Sequence, residues 1–146
     1  MIRQDQLIEY AQYVENYYGT PKAYVEEQLS AGRDVILEIE IQGARKIKKK
    51  FPEAVLVFVT APSMDELKER LTGRGTETAE VIHQRLARAA KEAEGVDEYD
   101  YVLVNDQLDE AVDRLHNIIQ SEHFAMKRNL DFIHEIQAQA ARFVEE

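Results

Sequence analysis

The chain has 146 residues, 45% of them hydrophobic, which suits one compact domain with a real core. A formal net charge of -10 opposes broad attraction to nucleic acid or anionic lipid, so an anionic ligand would have to be held by local cations. With no cysteine, disulfide scaffolds, thiolate zinc sites and cysteine nucleophiles are excluded. The lack of any apolar run near the ~20 residues of a membrane span, and of a basic-then-apolar leader, predicts a cytoplasmic protein.

The first informative stretch is LIEYAQYVENYYGTPKAYVEE, residues 7–27, in which Tyr17 and Tyr18 precede a Gly-Thr-Pro turn and Glu9 lies upstream. A carboxylate accepts two parallel hydrogen bonds, which matches the paired donors on the Watson-Crick edge of guanine and not that of adenine. Glu9 therefore suits guanine selection. The Thr20 hydroxyl can donate to the guanine carbonyl, and Tyr17 or Tyr18 to a phosphate. Aromatic packing against a turn accounts for the same residues, and both readings stay open on the residues alone.

From Asp34, DVILEIEIQGARKIKKKF alternates in polarity and predicts a strand that carries Glu38 and Glu40 on one face. The run RKIKKK within it reads as the solvated face of a following helix. AVLVFV, residues 54–59, has the unbroken apolar character of a parallel strand buried on both faces, and YDYVLVND, residues 99–106, predicts a third strand. Ser63 with Glu66 three residues on forms a capping box for a helix that should end near Gly73. A longer helix is expected from about Thr78 to Glu94. Beyond Asn105, the helical spacing of Leu108, Ala111, Val112, Leu115, Ile118 and Ile119 predicts another, and Phe132, Ile133, Ile136, Ala140 and Phe143 a last one in the tail. Strands alternating with helices imply an α/β fold with a parallel sheet, whose ligands bind at the carboxyl ends of the strands.

Arginines supply the cations. Arg70 and Arg74 are four apart around a Gly-Arg-Gly break, and Arg85 and Arg88 follow on the next helix. A guanidinium makes two charge-assisted hydrogen bonds to phosphate, so arginines converging from two helices would suit a triphosphate. Surface pairing with Glu66, Glu69, Glu77 and Glu80 is the alternative. His83, His116, His123 and His134 show no tight metal-ligand spacing, and no protein-bound metal is expected.

IEYAQYVENYYGTP, GRDVILEIEIQGARKIKKKFPEAVLVFVTAPSMDELKERLTGRGTET and YDYVLVND, in this order and spacing, closely resemble the guanylate kinase family over residues 1 to about 124. The resemblance implies a parallel-sheet P-loop kinase-like α/β fold, truncated at the N-terminus, with a helical lid and a helical C-terminal tail. On it, residues 1–146 form one domain: 1–32 a remnant of the GMP-binding region, 33–62 and 97–124 the core, 63–96 the lid and 125–146 the tail. It further implies transfer of the terminal phosphoryl of ATP to GMP, with magnesium entering alongside ATP and no tightly bound cofactor. Glu9 and Thr20 match guanine-binding positions and Tyr18 a GMP phosphate ligand. Glu38 and Glu40 match an acidic pair, usually aspartates, that faces GMP and the magnesium-bound phosphates. Arg70, Arg74 and Arg85 match the catalytic lid arginines, with Arg70 and Arg74 also on the ATP side, where Asn105 matches a position near adenine. GMP and ATP are the implied partners, without nucleic acid or membrane, and a homo-oligomer through an exposed sheet edge or the C-terminal helix is a further expectation.

The sequence departs from that pattern at its start. The family's glycine-rich loop, G-x-x-x-x-G-K-[ST], has no counterpart, and no Gly-Lys pair occurs among the 146 residues. The expectation is a fragment of a longer enzyme, an internal-start product, or a chain that repairs its sheet by association, nearly inactive alone. The alternative function is a non-catalytic guanylate-kinase-like module that binds protein. The tail from about His123 is expected to extend past the family's usual end and to cover a sheet face or pair with another chain.

Overall fold

A computed structural model describes residues 7–13, 16–73, 75 and 78–145, with side chains from residue 21 onward. The elements are β1 (Leu7–Tyr13), β2 (Asn16–Pro21), α1 (Lys22–Ser30), α2 (Ile41–Lys50), β3 (Val57–Thr60), α3 (Met64–Gly73), α4 (Ala79–Ala93), β4 (Tyr101–Val104), α5 (Leu108–His123) and α6 (Leu130–Glu145). The chain divides into two compact units, Met1–Phe58 with Thr78–Val102, and Val59–Glu77 with Leu103–Glu146. Among the described residues no helix is long and apolar enough to cross a membrane.

In the first unit β1 and β2 form an antiparallel hairpin, which the sequence reading did not anticipate. Helix α1 follows directly from Pro21, whose φ of -62° is already set for a helix entry. It ends in a Schellman motif: Gly32 takes φ +79°, its amide donates to the Leu29 carbonyl at 3.0 Å, and the Arg33 amide donates to the Gln28 carbonyl at 3.1 Å. Glycine adopts this left-handed conformation without steric cost.

Residues 33–40 differ from expectation. They carry no strand pairing, although the alternation survives in their burial. Val35, Leu37 and Ile39 pack against the buried Val25 and Ile47, together with Phe51 and Ala54, whereas Ile36 is 68% exposed. The reason is that a strand requires a paired neighbour: β1 pairs with β2 and β3 with β4, and no described strand pairs with 33–40. Helix α2 buries Gly43, Ala44 and Ile47, and sets Lys48, Lys49 and Lys50 in its last turn, where cations complement the helix dipole. Gly95 leaves room for the Arg45 guanidinium, which a Cβ at that position would strike, and Arg45 reaches Glu98 at 3.3 Å.

Strands β3 and β4 pair in parallel. Both are shorter than the sequence suggested; β3 starts late because residues 51–54 turn, the Ala54 amide donating to the Phe51 carbonyl at 2.9 Å and Lys48 Nζ to the Ala54 carbonyl at 2.6 Å. The expectation of burial on both faces fails for β3, where Val59 is 55% exposed. Asp100 sets the pairing in the first unit: its Oδ2 accepts from the Leu56 amide at 2.8 Å and from Lys48 Nζ at 3.2 Å, and its own amide donates to the Leu56 carbonyl at 2.9 Å. Beside it, Tyr99 meets Phe58 edge-on, centroids 5.7 Å apart. Helix α4 starts as predicted, with Thr78 Oγ1 accepting from the Val81 amide.

In the second unit α3 begins where Ser63 Oγ accepts from the Glu66 amide at 3.1 Å, and it buries Leu71. The Glu66 carboxylate serves Arg70 instead of closing the capping box. Helix α5 buries Ala111, and the Asn129 side chain donates to the carbonyls of His123 at 2.9 Å and Ala125 at 2.8 Å, which closes that helix end before α6. Helix α6 buries none of its residues. The tail is helical as expected, and its apolar stripe, including Phe132, Ile136 and Phe143, stands exposed, covering no sheet face among the described residues and leaving the expected pairing with another chain untouched.

Replacing Asp100 by alanine strands the part-buried Leu56 amide and removes the Lys48 partner. We expect chemical denaturation of Asp100→Ala to show a loss of about 1–3 kcal/mol, the usual cost of an unpaired buried donor. Burial, and then Glu92, raise the Tyr99 phenol above its ordinary 10.0, with Arg45 opposing. Its contribution is fully present below pH 10.0 and is lost as pH rises towards the folded value, because the unfolded chain ionises first. Stability measured across that range should therefore fall less steeply in Tyr99→Phe than in the parent.

Candidate functional site

The hairpin brings together two residues that the sequence assigned to guanine. Glu9 is the register partner of Thr20, and Tyr18 that of Ala11. Directly opposed residues of an antiparallel pair have Cα atoms ~4.5–5.5 Å apart, so the two positions adjoin across the ladder. The register shifts between Leu7 and Glu9, so an irregularity borders the position where guanine recognition is expected.

The acidic pair is built differently from the prediction. Without a strand over 33–40, Glu38 is an exposed residue of a stretch that carries no strand pairing, and Glu40 occupies the N-cap position of α2 without a side-chain cap bond. Its carboxylate meets Arg88 instead, Oε2 to Nη2 at 2.6 Å, and Arg88 Nε reaches Glu92 at 3.1 Å on its own helix. Sequence reasoning placed Arg88 in the arginine cluster without assigning it to Glu40. The two lie far apart in the chain, so no local spacing could have joined them.

The second unit holds Arg70 and Asn105, and it brings them into contact. Arg70 Nη1 donates to the Asn105 carbonyl at 2.7 Å and Nε donates to Glu66 at 3.3 Å, while the Asn105 amide donates to the Thr60 carbonyl at 2.8 Å. Arg70 thus links α3 to the segment following β4, with two of its five N–H groups committed to these bonds. Arg85 is exposed on α4 in the first unit, and Arg74 lies outside the described residues. Gly75 after it takes φ +65°, so the predicted sharp turn is realised on that side of the Gly-Arg-Gly break.

A hollow of about 270 Å³ in the first unit lies among Phe58, Tyr99 and Tyr101 and includes none of the expected site residues. Among the described residues no group of three or more His, Cys, Asp or Glu is arranged to hold a metal ion. A double-mutant cycle of Glu40→Gln and Arg88→Gln, read by denaturation, should give a coupling of about 0.2–1 kcal/mol that shrinks with added salt, as half-exposed ion pairs do.

Comparison with known proteins gives a concordant picture. The family model described as guanylate kinase matches residues 1–122. The guanylate kinase of Streptococcus pneumoniae strain R6 is 52% identical over 136 residues, covering 93% of this chain and 65% of the relative. That of Desulfitobacterium hafniense is 56% identical over 128 residues, covering 88% of this chain and 64% of the relative. The crystal structure of guanylate kinase from Anaplasma phagocytophilum matches with a TM-score of 0.71 at 33% identity, covering 87% of this chain and 61% of that one. The chain therefore spans a little less than two thirds of these relatives. The match over 93% of the chain continues into the tail, past residue 122 where the family model stops.

Proposed function

Because the chain belongs to the guanylate kinase family, we propose that it binds GMP and serves phosphoryl transfer from magnesium-ATP to GMP, yielding GDP and ADP, in the cytoplasm. Glu9 accepts the paired guanine donors and Thr20 donates to the guanine carbonyl. Tyr18 donates to the GMP phosphate, and Glu38 and Glu40 lie towards GMP and the magnesium-bound phosphates. Arg70, Arg74 and Arg85 offset charge on the phosphates during transfer, and Asn105 lies towards adenine. This chemistry depends on positioning and electrostatics and requires no protein nucleophile, which agrees with a site composed of carboxylates, hydroxyls and guanidinium groups.

The observation that carries the reading is the register of the hairpin, with Glu9 opposite Thr20. A hydrogen bond to a charged group contributes about 1.5–3 kcal/mol, and 1.4 kcal/mol is tenfold in affinity. Calorimetry on the chain should accordingly show GMP bound at least roughly tenfold more tightly than AMP. Glu9→Ala should bring the two nucleotides close to parity. Equal affinities in the parent, or an unchanged preference in Glu9→Ala, would reject the guanine assignment. Binding of neither nucleotide would reject the nucleotide site itself and favour a protein-binding module.

A further inference from the structure

The register of the hairpin sets four positions at the corners of one face. In an antiparallel ladder directly opposed residues share a face, and successive residues alternate between the two faces. Glu9 opposite Thr20 and Ala11 opposite Tyr18 therefore lie on one face, and Tyr10 opposite Gly19 and Gln12 opposite Tyr17 lie on the other. Of the two tyrosines that the sequence offers to a phosphate, Tyr18 shares the face of Glu9 and Thr20 and Tyr17 does not. The corners are about 5 Å apart across the strands and about 7 Å apart along them. Glu9, Thr20 and Tyr18 are already assigned to GMP, which leaves Ala11 as the corner without a part.

Alanine is a poor choice for that corner on strand grounds. It is depleted in strands, and opposite a tyrosine it forgoes the cross-strand packing that a β-branched residue supplies. We propose that Ala11 is a spacing residue of the GMP site, whose small size keeps clear the part of the face beside Tyr18 where the ribose and phosphate of a purine nucleoside monophosphate lie. The inference rests on the GMP assignment of Glu9, Thr20 and Tyr18. With guanine held at the pair Glu9 and Thr20 and the phosphate at Tyr18, the ligand runs along the strands from one opposed pair to the next, so its sugar and phosphate reach the pair that Ala11 completes. A branched residue at position 11 would fill that space and meet Tyr18 across the ladder. Exclusion of this kind acts on the ligand and not on the fold, so strand stability and GMP affinity should move in opposite directions when the residue is enlarged.

The test is GMP binding by calorimetry together with thermal unfolding of the full chain, in the parent, Ala11→Ile and Gln12→Ile. Isoleucine favours a strand at either position, so neither change opposes the hairpin. Ala11→Ile should bind GMP roughly tenfold or more weakly, as an overfilled site does, with its melting temperature unchanged or raised. Gln12→Ile, one residue along on the opposite face, should keep the parent affinity within about twofold. The proposal is overturned if the parent binds GMP and Ala11→Ile binds it equally well, or if Gln12→Ile loses as much affinity as Ala11→Ile; both results leave the kinase reading standing. It is also overturned if Ala11→Ile loses affinity and melting temperature together, because the substitution would then act through the fold. A parent that binds no GMP removes the kinase reading, and this inference with it.

Discussion

The first unit depends on one carboxylate. Asp100 and Leu56 exchange two bonds, side chain to amide and amide to carbonyl, and Lys48 closes the group by reaching both Asp100 and the Ala54 carbonyl. This fixes where β3 may begin, because the residues before it are held in a turn, and it ties α2 to the start of β4. Leu56, buried at 7% exposure, is thereby held with its backbone satisfied on both sides. A lone carboxylate in this position would be costly, but its bonds to an amide and an ammonium offset the loss of water.

Helices were legible because their signals are local. Thr78 and Ser63 sit at the starts of α4 and α3, and each acts through a hydrogen bond from an amide three residues on, whereas α1, which ends beside Gly32, was not anticipated. Strand pairing is not local, and there the sequence misled in both directions. The alternation of Val35, Leu37 and Ile39 correctly identified an inward face, yet it could not supply the neighbour that would make the stretch a strand. Conversely, β1 and β2 form a hairpin whose strands, LIEYAQY and NYYGTP, lack the alternation of polarity that would announce their pairing.

The candidate site shows the same division. Motif order pointed to the guanylate kinase family, and the family model matches residues 1–122. The contacts actually made by Glu40 and Arg70 were not legible. Arg88 and the Asn105 carbonyl are remote in sequence from the groups they meet, and both bonds need tertiary structure to form. Their lengths, 2.6 and 2.7 Å, mark two side chains that a ligand would have to recruit from existing partners.

The tail has a colloidal consequence. Helix α6 presents Phe132, Ile136, Phe143 and Val144 to water on a chain with a formal net charge of -10. At low ionic strength the net charge sets a long-range repulsion between copies against the short-range attraction of these apolar groups. Near physiological salt, repulsion is confined to about 8 Å, while excluded salts such as sulfate strengthen apolar contact. The ionic medium thus shifts the balance between charge repulsion and apolar contact at α6.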